Sequence, residues 1–169
     1  MNNSQHNKEL LELIEEYKAI LYKICNAYCK NESDREDLLQ EIIYQLIRSY
    51  KNFTPDHKFS TWMYRVALNV AISFYRKARL AGTMIRLMET STDVEDKTDV
   101  NTELENNISR LQQFIGELKE LDKALMILYL EEKNHKEISE ILGITETNVS
   151  TKISRIKDKL KQKFLTVNN

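Results

Sequence analysis

The sequence is poor in the residues that β-structures, tight turns and disulfide frameworks require. Its 169 residues include only three glycines, one proline and two cysteines. Strand-like alternation of polar and apolar residues is also hard to find. The low cysteine count excludes a small disulfide-stapled secreted fold, and the other shortages disfavour a β-rich one. We therefore predict an all-α protein.

Long apolar segments are missing as well. No run approaches the roughly 20 apolar residues of a membrane span, and the N-terminus lacks the apolar core of a secretory signal. We expect a cytoplasmic protein without membrane insertion. Cys25 and Cys29 lie four residues apart on one predicted helix, where a disulfide is geometrically awkward. The three histidines show no metal-ligand spacing, so we expect two reduced cysteines and no metal.

Net charge is nearly absent, but the charges are unevenly distributed. The 25 basic and 26 acidic residues give a net charge of −1. Residues 1–80 carry +2, residues 81–120 carry −5 and residues 121–169 carry +2, which suggests two binding modules and a connector. The pI is near 6.3, below the value of about 9 that is common for free-standing DNA-binding domains. We therefore expect a partner to supply much of any DNA affinity.

Apolar periodicity divides the chain into two helical domains joined by a flexible acidic linker. The helices predicted in the first domain span about 8–30, 33–50 and 59–80, with Ser60 a possible N-cap. After the linker, a helix begins near 101–105, another spans about 122–132, and a helix-turn-helix follows. The predicted boundaries are 1–87 for the first domain, 88–105 for the linker and 106–169 for the second domain.

The segment from His135 to Lys163 is the most informative part of the sequence. A short helix ending at Leu142 meets Gly143 where the backbone must turn with positive φ. Thr145 is an N-cap candidate for a second helix that continues to about Phe164. This pattern predicts a helix-turn-helix, whose second helix can enter a DNA major groove.

The second helix of this pair has two distinct faces. Its apolar stripe, at helical spacing, is Val149, Ile153, Ile156, Leu160 and Phe164. The opposite face carries short hydrogen-bonding side chains, namely Thr147, Thr151 and Ser154, flanked by Asn148, Ser150 and Arg155. Residues 148–169 hold six cations and one anion, a net charge of +5. An ordinary helical hairpin with a solvated basic face is the alternative. The coincidence of turn glycine, cap, stripe and polar face favours DNA reading.

The predicted helix from Phe59 combines aromatic and basic residues. It contains the only tryptophan, and the stretch from Arg48 to Arg79 holds seven cations against Asp56, a net charge of +6. Cations that hold phosphates and rings that stack on unpaired bases suit single-stranded nucleic acid. The alternative is that Trp62 and its apolar neighbours are core residues of a helical bundle.

Three segments, in this order, resemble an extracytoplasmic-function (ECF) sigma factor of bacterial RNA polymerase. The polymerase-binding segment of that family resembles DREDLLQEIIYQLIRSYKNF. The segment that reads and melts the −10 element resembles FSTWMYRVALNVAISFYRK. The domain that reads the −35 element resembles LDKALMILYLEEKNHKEISEILGITETNVSTKISRIKDKLK. The similarity covers nearly the whole chain apart from the linker and the ends.

The resemblance implies three sets of site residues. The polymerase-binding set, expected to dock on the clamp coiled coil, is Asp37, Gln40, Glu41 and Gln45. The −10 set, beside a loop at 53–61 expected to hold a flipped base, is Trp62, Arg65, Asn69, Arg76 and Lys77. The −35 set, expected to face the major groove, is Thr147, Asn148, Thr151, Lys152 and Arg155.

The implied function is promoter recognition and transcription initiation. The implied partners are core RNA polymerase and promoter DNA, with an anti-sigma factor as the expected regulator. No nucleophile–base constellation is visible, so we expect a non-enzyme with no cofactor and no small-molecule substrate. A helix-turn-helix regulator that never enters polymerase is the main competing interpretation, but it leaves residues 34–77 unexplained. Two further possibilities are an enzyme, which nothing in the sequence supports, and a protein that binds polymerase without reading promoters.

Overall fold

The computed structural model describes residues 3–81 and 102–167, and every regular element in these two ranges is a helix. The chain divides into two compact units, Met1–Met88 and Glu89–Asn169. The described helices are α1 (Asn3–Glu16), α2 (Lys18–Tyr28), α3 (Glu32–Ser49), a 3₁₀ turn (Tyr50–Asn52), α4 (Phe59–Leu80), α5 (Thr102–Gly116), α6 (Glu120–Leu130), α7 (His135–Leu142) and α8 (Glu146–Val167). The prediction of an all-α fold is confirmed.

Most of the predicted linker lies outside the described residues. Its last four residues, 102–105, belong to α5, which begins within the range predicted for that helix. Within the described ranges, no helix combines the length and the apolar character needed to cross a membrane.

The first unit is built on mutual packing of α2, α3 and α4. Each helix contributes an apolar stripe to a common core, and the fully buried side chains include Leu21, Ile24, Leu38, Ile42, Leu46, Met63 and Leu68. Burying an aliphatic side chain of this size stabilises a fold by roughly 1.5–3 kcal/mol. The opposite faces of α3 and α4 are therefore left to solvent, which is where the candidate site residues lie.

The N-terminal region differs from the prediction of one helix over 8–30. The structure has two helices separated at Tyr17, whose φ is −103° and ψ is 12°. Backbone hydrogen bonds continue on both sides of the break. The Tyr17 N–H donates to the Leu13 carbonyl at 3.0 Å, and the Ile20 N–H donates to the Tyr17 carbonyl at 3.0 Å. The Tyr17 ring contacts Phe59 of α4, with the ring centroids 5.6 Å apart.

Two helix starts also differ from the prediction. Asn31 caps α3, with its Oδ1 accepting the Asp34 N–H at 2.7 Å, so this helix begins before the predicted Ser33. The prediction of Ser60 as an N-cap is wrong, because α4 already begins at Phe59 and Lys58 occupies the cap position without a side-chain bond. Asn31 is among the residues favoured at N-caps. Lys58 is not, and it contributes no side-chain hydrogen bond to the start of α4.

Both cysteines are buried thiols in the first unit. Burial raises the pKa of the Cys25 thiol to about 11, while the nearby Arg35 guanidinium lowers it by less. Because the thiolate is the nucleophile, we expect iodoacetamide at pH 8 to leave Cys25 unmodified in the folded chain. Mass spectrometry of alkylated peptides, before and after unfolding in urea, measures this. Rapid modification of the folded chain would show that the thiol is accessible.

The second unit surrounds α6 with α5, α7 and α8. Residues 124–128 of α6 are all buried, as expected for a helical segment that is apolar at every position. The helix-turn-helix is formed by α7 and α8. Gly143 has φ +68°, and its N–H donates to the Ser139 carbonyl at 2.9 Å. Thr145 caps α8, since its Oγ1 accepts the Asn148 N–H at 3.1 Å. The predicted turn and cap are confirmed.

The two glycines of this unit form a matched pair for testing the turn. A Cβ at Gly143 or at Gly116 would meet nothing within 4 Å, so neither substitution by alanine creates a clash. Gly143→Ala is expected to destabilise the unit by roughly 1–2 kcal/mol, because an L-residue is strained in the left-handed region. Gly116→Ala, at the end of α5, is expected to stabilise it by about 0.5–1 kcal/mol. Urea unfolding of the full chain measures both, and changes of the same sign would contradict the assignment.

Candidate nucleic-acid and partner interfaces

The two faces of α8 are separated as the periodicity predicts. The side chains of Val149, Ile153, Ile156 and Leu160 are buried against α6 and α7. Phe164 is half-buried, edge-on to Phe114 of α5 with centroids 5.1 Å apart. The helix is therefore fixed to its unit by one stripe, and its opposite face is presented to solvent.

That exposed face carries the predicted −35 set. Thr147, Asn148, Thr151 and Arg155 are exposed, and Lys152 is half-buried. All five lie in the first ten residues of α8, the end of a recognition helix that reaches base edges. The face combines hydroxyl, amide and guanidinium groups, the side chains that bond to bases in the major groove.

Two of the cations that contribute to the local charge of +5 have partners inside the unit. The Lys157 Nζ donates to the Tyr129 hydroxyl at 3.3 Å and lies 5.3 Å from the centre of that ring. Lys163 forms an ion pair with Glu117 and contacts the ring of Phe114. These two lysines hold α8 to α6 and α5, a role that the sequence did not reveal because both partners are distant along the chain.

The start of α7 is fixed by a reciprocal capping box. The Asn134 Oδ1 accepts the Glu137 N–H at 2.9 Å, and the Glu137 Oε2 accepts the Asn134 N–H at 3.0 Å. Such a box satisfies two backbone donors that would otherwise lack partners. The box therefore fixes where the first helix of the motif begins.

The predicted −10 set lies along one face of α4, at positions separated by one or two helical turns, with Lys77 next to Arg76. Arg65, Asn69, Arg76 and Lys77 are exposed. Trp62 is half-buried, and its ring lies 5.9, 5.3 and 5.4 Å from those of Tyr50, Phe53 and Phe59. We call these four rings the aromatic cluster. Trp62 belongs to this packed cluster, which agrees with the alternative that it serves the core.

The predicted polymerase-binding set lies on α3. Asp37, Gln40 and Glu41 are exposed, whereas Gln45 is half-buried and its Nε2 donates to the Glu41 Oε1 at 2.9 Å. The sequence missed two apolar residues on the same helix. Tyr44 and Ile47 are 57% and 43% exposed. The signal that could have found them is helical spacing. Tyr44 and Ile47 lie four and seven residues after Gln40, on the side of α3 that faces away from the buried stripe.

A groove of about 680 Å³ runs between α3 and α4. Asp37, Glu41 and Gln45 line one side, and Asn69 and Lys77 line the other. Its apolar lining comes from Val66, Val70 and Phe74. The structure thus brings members of two predicted sets, polymerase-binding and −10, to the edges of one groove.

Comparison with known proteins decides the family. The model of sigma-70 region 2 matches residues 13–81, and that of sigma-70 region 4 matches residues 108–160. The chain is 30% identical over 166 residues to the ECF RNA polymerase sigma factor SigW of Bacillus subtilis, an alignment covering 90% of this chain and 87% of SigW. The chain belongs to the ECF sigma factors of the sigma-70 family.

Further comparisons agree with this assignment. The RNA polymerase sigma factor SigV of Bacillus subtilis is 28% identical to this sigma factor, with 92% of this chain and 91% of SigV covered. The structure of CnrH in complex with the cytosolic domain of CnrY has a similar fold, with a TM-score of 0.67, 17% identity and coverage of 99% and 96%. The sigma factor RpoE of Bartonella quintana, solved with the anti-sigma factor NepR, has a TM-score of 0.62, 16% identity and coverage of 96% and 98%.

The family decides between the functions left open by the sequence. The protein is an alternative sigma factor that binds core RNA polymerase and directs promoter recognition and transcription initiation. The competing interpretation, a helix-turn-helix regulator acting without polymerase, is thereby disfavoured. The regions matched by the two family models include all three sets of site residues.

Proposed function

We propose that the two units divide promoter recognition between them. In this proposal, domain 1–87 docks on polymerase and captures the opened −10 strand, domain 106–169 reads the −35 duplex, and 88–105 connects them. The observation that carries it is the exposed polar face of α8, on a helix that is anchored by the buried side chains of Val149, Ile153, Ile156 and Leu160. Duplex reading needs such a rigid helix with short polar side chains at its N-terminal end.

The −10 surface is supported by charge and by the loop before α4. Arg65, Arg76 and Lys77 give the exposed face of α4 a positive charge suited to a single strand. Residues 54–58 of the preceding loop are all exposed above the aromatic cluster. Extracting a nucleobase from the stack costs a few kcal/mol. A loop whose two ends are fixed can offset this cost by binding the extruded nucleobase.

The polymerase contact is supported by the acidic and apolar character of α3. Asp37 and Glu41 offer carboxylates to a basic partner, and the exposed Tyr44 and Ile47 offer apolar area beside them. Aromatic residues are enriched at protein interfaces. The near-neutral pI fits a division in which polymerase makes most of the phosphate contacts.

The chemistry required of this chain is binding alone. It breaks no bond in the proposed mechanism, and polymerase performs the synthesis. We accordingly propose that it is not an enzyme, needs no cofactor or small-molecule substrate, and works in the cytoplasm beside polymerase.

Run-off transcription with purified core polymerase and a promoter library tests the proposal. We expect initiation at a subset of promoters that share −35 and −10 sequences, and loss of initiation when either element is scrambled. Failure to open the strands at any promoter would overturn the proposal.

We also propose that an anti-sigma factor regulates this chain. RpoE, which shares its fold, was solved with the anti-sigma factor NepR, and CnrH, which shares it too, was solved with the cytosolic domain of CnrY. The groove between α3 and α4 supports the idea, since its apolar lining and charged edges suit an amphipathic helix. Pull-down from the native cell tests it, and repeated recovery of polymerase without a second partner would count against it.

A further inference from the structure

The two ends of the loop before α4 are joined by a contact between two aromatic rings. Phe53 and Phe59 stand at its two ends and meet edge-to-face, with centroids 5.7 Å apart. The Phe53 N–H also donates to the Tyr50 carbonyl at 2.9 Å. The conformation of residues 54–58 therefore depends on where the rings of the aromatic cluster are held.

Two rings from the N-terminal region contact this cluster from outside α3 and α4. The His6 ring of α1 lies 4.9 Å from that of Tyr50, and the Tyr17 ring lies 5.6 Å from that of Phe59. Each therefore contacts a different member of the cluster. One of these members precedes the loop and the other follows it.

The position of α1 beside the cluster has independent support. Leu10 and Ile14 of α1 are buried, so the helix is packed against the unit. The pKa of Tyr50 is raised by burial and, to a smaller extent, by the negative charge of Glu9 on the same helix. Tyr50 is itself only 8% exposed, and its ring, which His6 of α1 contacts, stacks on Phe53.

We infer that His6 and Tyr17 are positioning residues for strand opening, because they hold the aromatic cluster from which the base-capturing loop extends. The inference rests on the proposed role of that loop. Neither side chain needs to touch DNA. Losing both ring contacts removes one support of Tyr50, which stacks on Phe53, and one support of Phe59. The loop then spends less time in the conformation that receives a base.

The test uses the full chain with core polymerase and two forms of one promoter. One form is fully paired, and the other carries a mismatched, already open −10 region. For the double variant His6→Ala with Tyr17→Ala, we expect permanganate reactivity of −10 thymines on the paired form to fall roughly two- to tenfold. Initiation from the open form at saturating holoenzyme is expected to match the parent chain.

Controls separate this role from general destabilisation. The single variant Tyr17→Phe keeps the ring and is expected to open the paired promoter as the parent chain does. Tyr22→Ala removes a tyrosine that is 52% exposed on α2 and is expected to change nothing. An equal loss on the paired and open promoters would show a fold defect and overturn the inference. So would undiminished opening by the double variant. If the parent chain itself opens no promoter, the proposed function fails instead.

Discussion

Replacing Asp37 and Glu41 together by lysine is expected to abolish co-purification of this sigma factor with core RNA polymerase. Both carboxylates are exposed, one helical turn apart on α3, at the edge of the groove that α3 forms with α4. The double reversal places two cations where two anions face a basic partner. Like-charge juxtaposition at an interface costs several kcal/mol, enough to remove binding at micromolar concentrations.

A matched control is available on α1. Glu12 and Glu16 are exposed, have the same spacing and can be reversed to lysine with the same change in total charge. This control pair is expected to co-purify with polymerase as the parent chain does. Circular dichroism of both double variants checks the helices. Binding retained by the α3 variant would show that a different face docks, and binding lost by both would show a long-range effect of net charge.

The parts of this structure that the sequence predicted well are those encoded locally. The helix-turn-helix depends on Gly143, which needs positive φ, and on Thr145, which caps the next turn. Both signals act within a few residues. The stripe from Val149 to Leu160 follows from helical period alone. Each of these features could be read without knowing what packs against it.

The features that the sequence did not predict depend on contacts between distant residues. Ile47 reads as one more apolar position of α3, and only the arrangement of α2 and α4 leaves it exposed. Trp62 suggested a stacking surface, yet rings from Tyr50 and Phe53 draw it into a cluster. The helix break at Tyr17 could not be predicted from the sequence, because no glycine or proline lies at or near this position.

The groove between α3 and α4 illustrates the same limit at the level of function. Its two sides come from residues about 30 positions apart in sequence. The resemblance to the family supplied the residue sets, but it did not predict that two of the sets line the same groove. Glu41 of the proposed polymerase-binding set and Lys77 of the proposed −10 set line one groove. We therefore propose that a single occupant of the groove excludes both polymerase and DNA.

Arg155→Ala is expected to weaken transcription from −35-dependent promoters by roughly 1–3 kcal/mol, or about 5- to 150-fold. Arg155 is exposed on the polar face of α8, while the neighbouring Ile156 is buried and fixes the helix. A guanidinium makes two parallel hydrogen bonds to guanine, and alanine makes none. Run-off transcription on promoters that vary in single −35 base pairs measures the loss.

The pattern of that loss distinguishes base reading from phosphate binding. If Arg155 reads a base, the variant loses discrimination at one −35 position and keeps it elsewhere. If it binds phosphate, the loss is uniform and the salt dependence of binding falls by about one unit of slope. Lys161→Ala is the control, because this exposed lysine projects from a different side of the same helix. Unchanged output on every promoter would remove Arg155 from the site, since an exposed arginine in a reading position cannot be lost without effect.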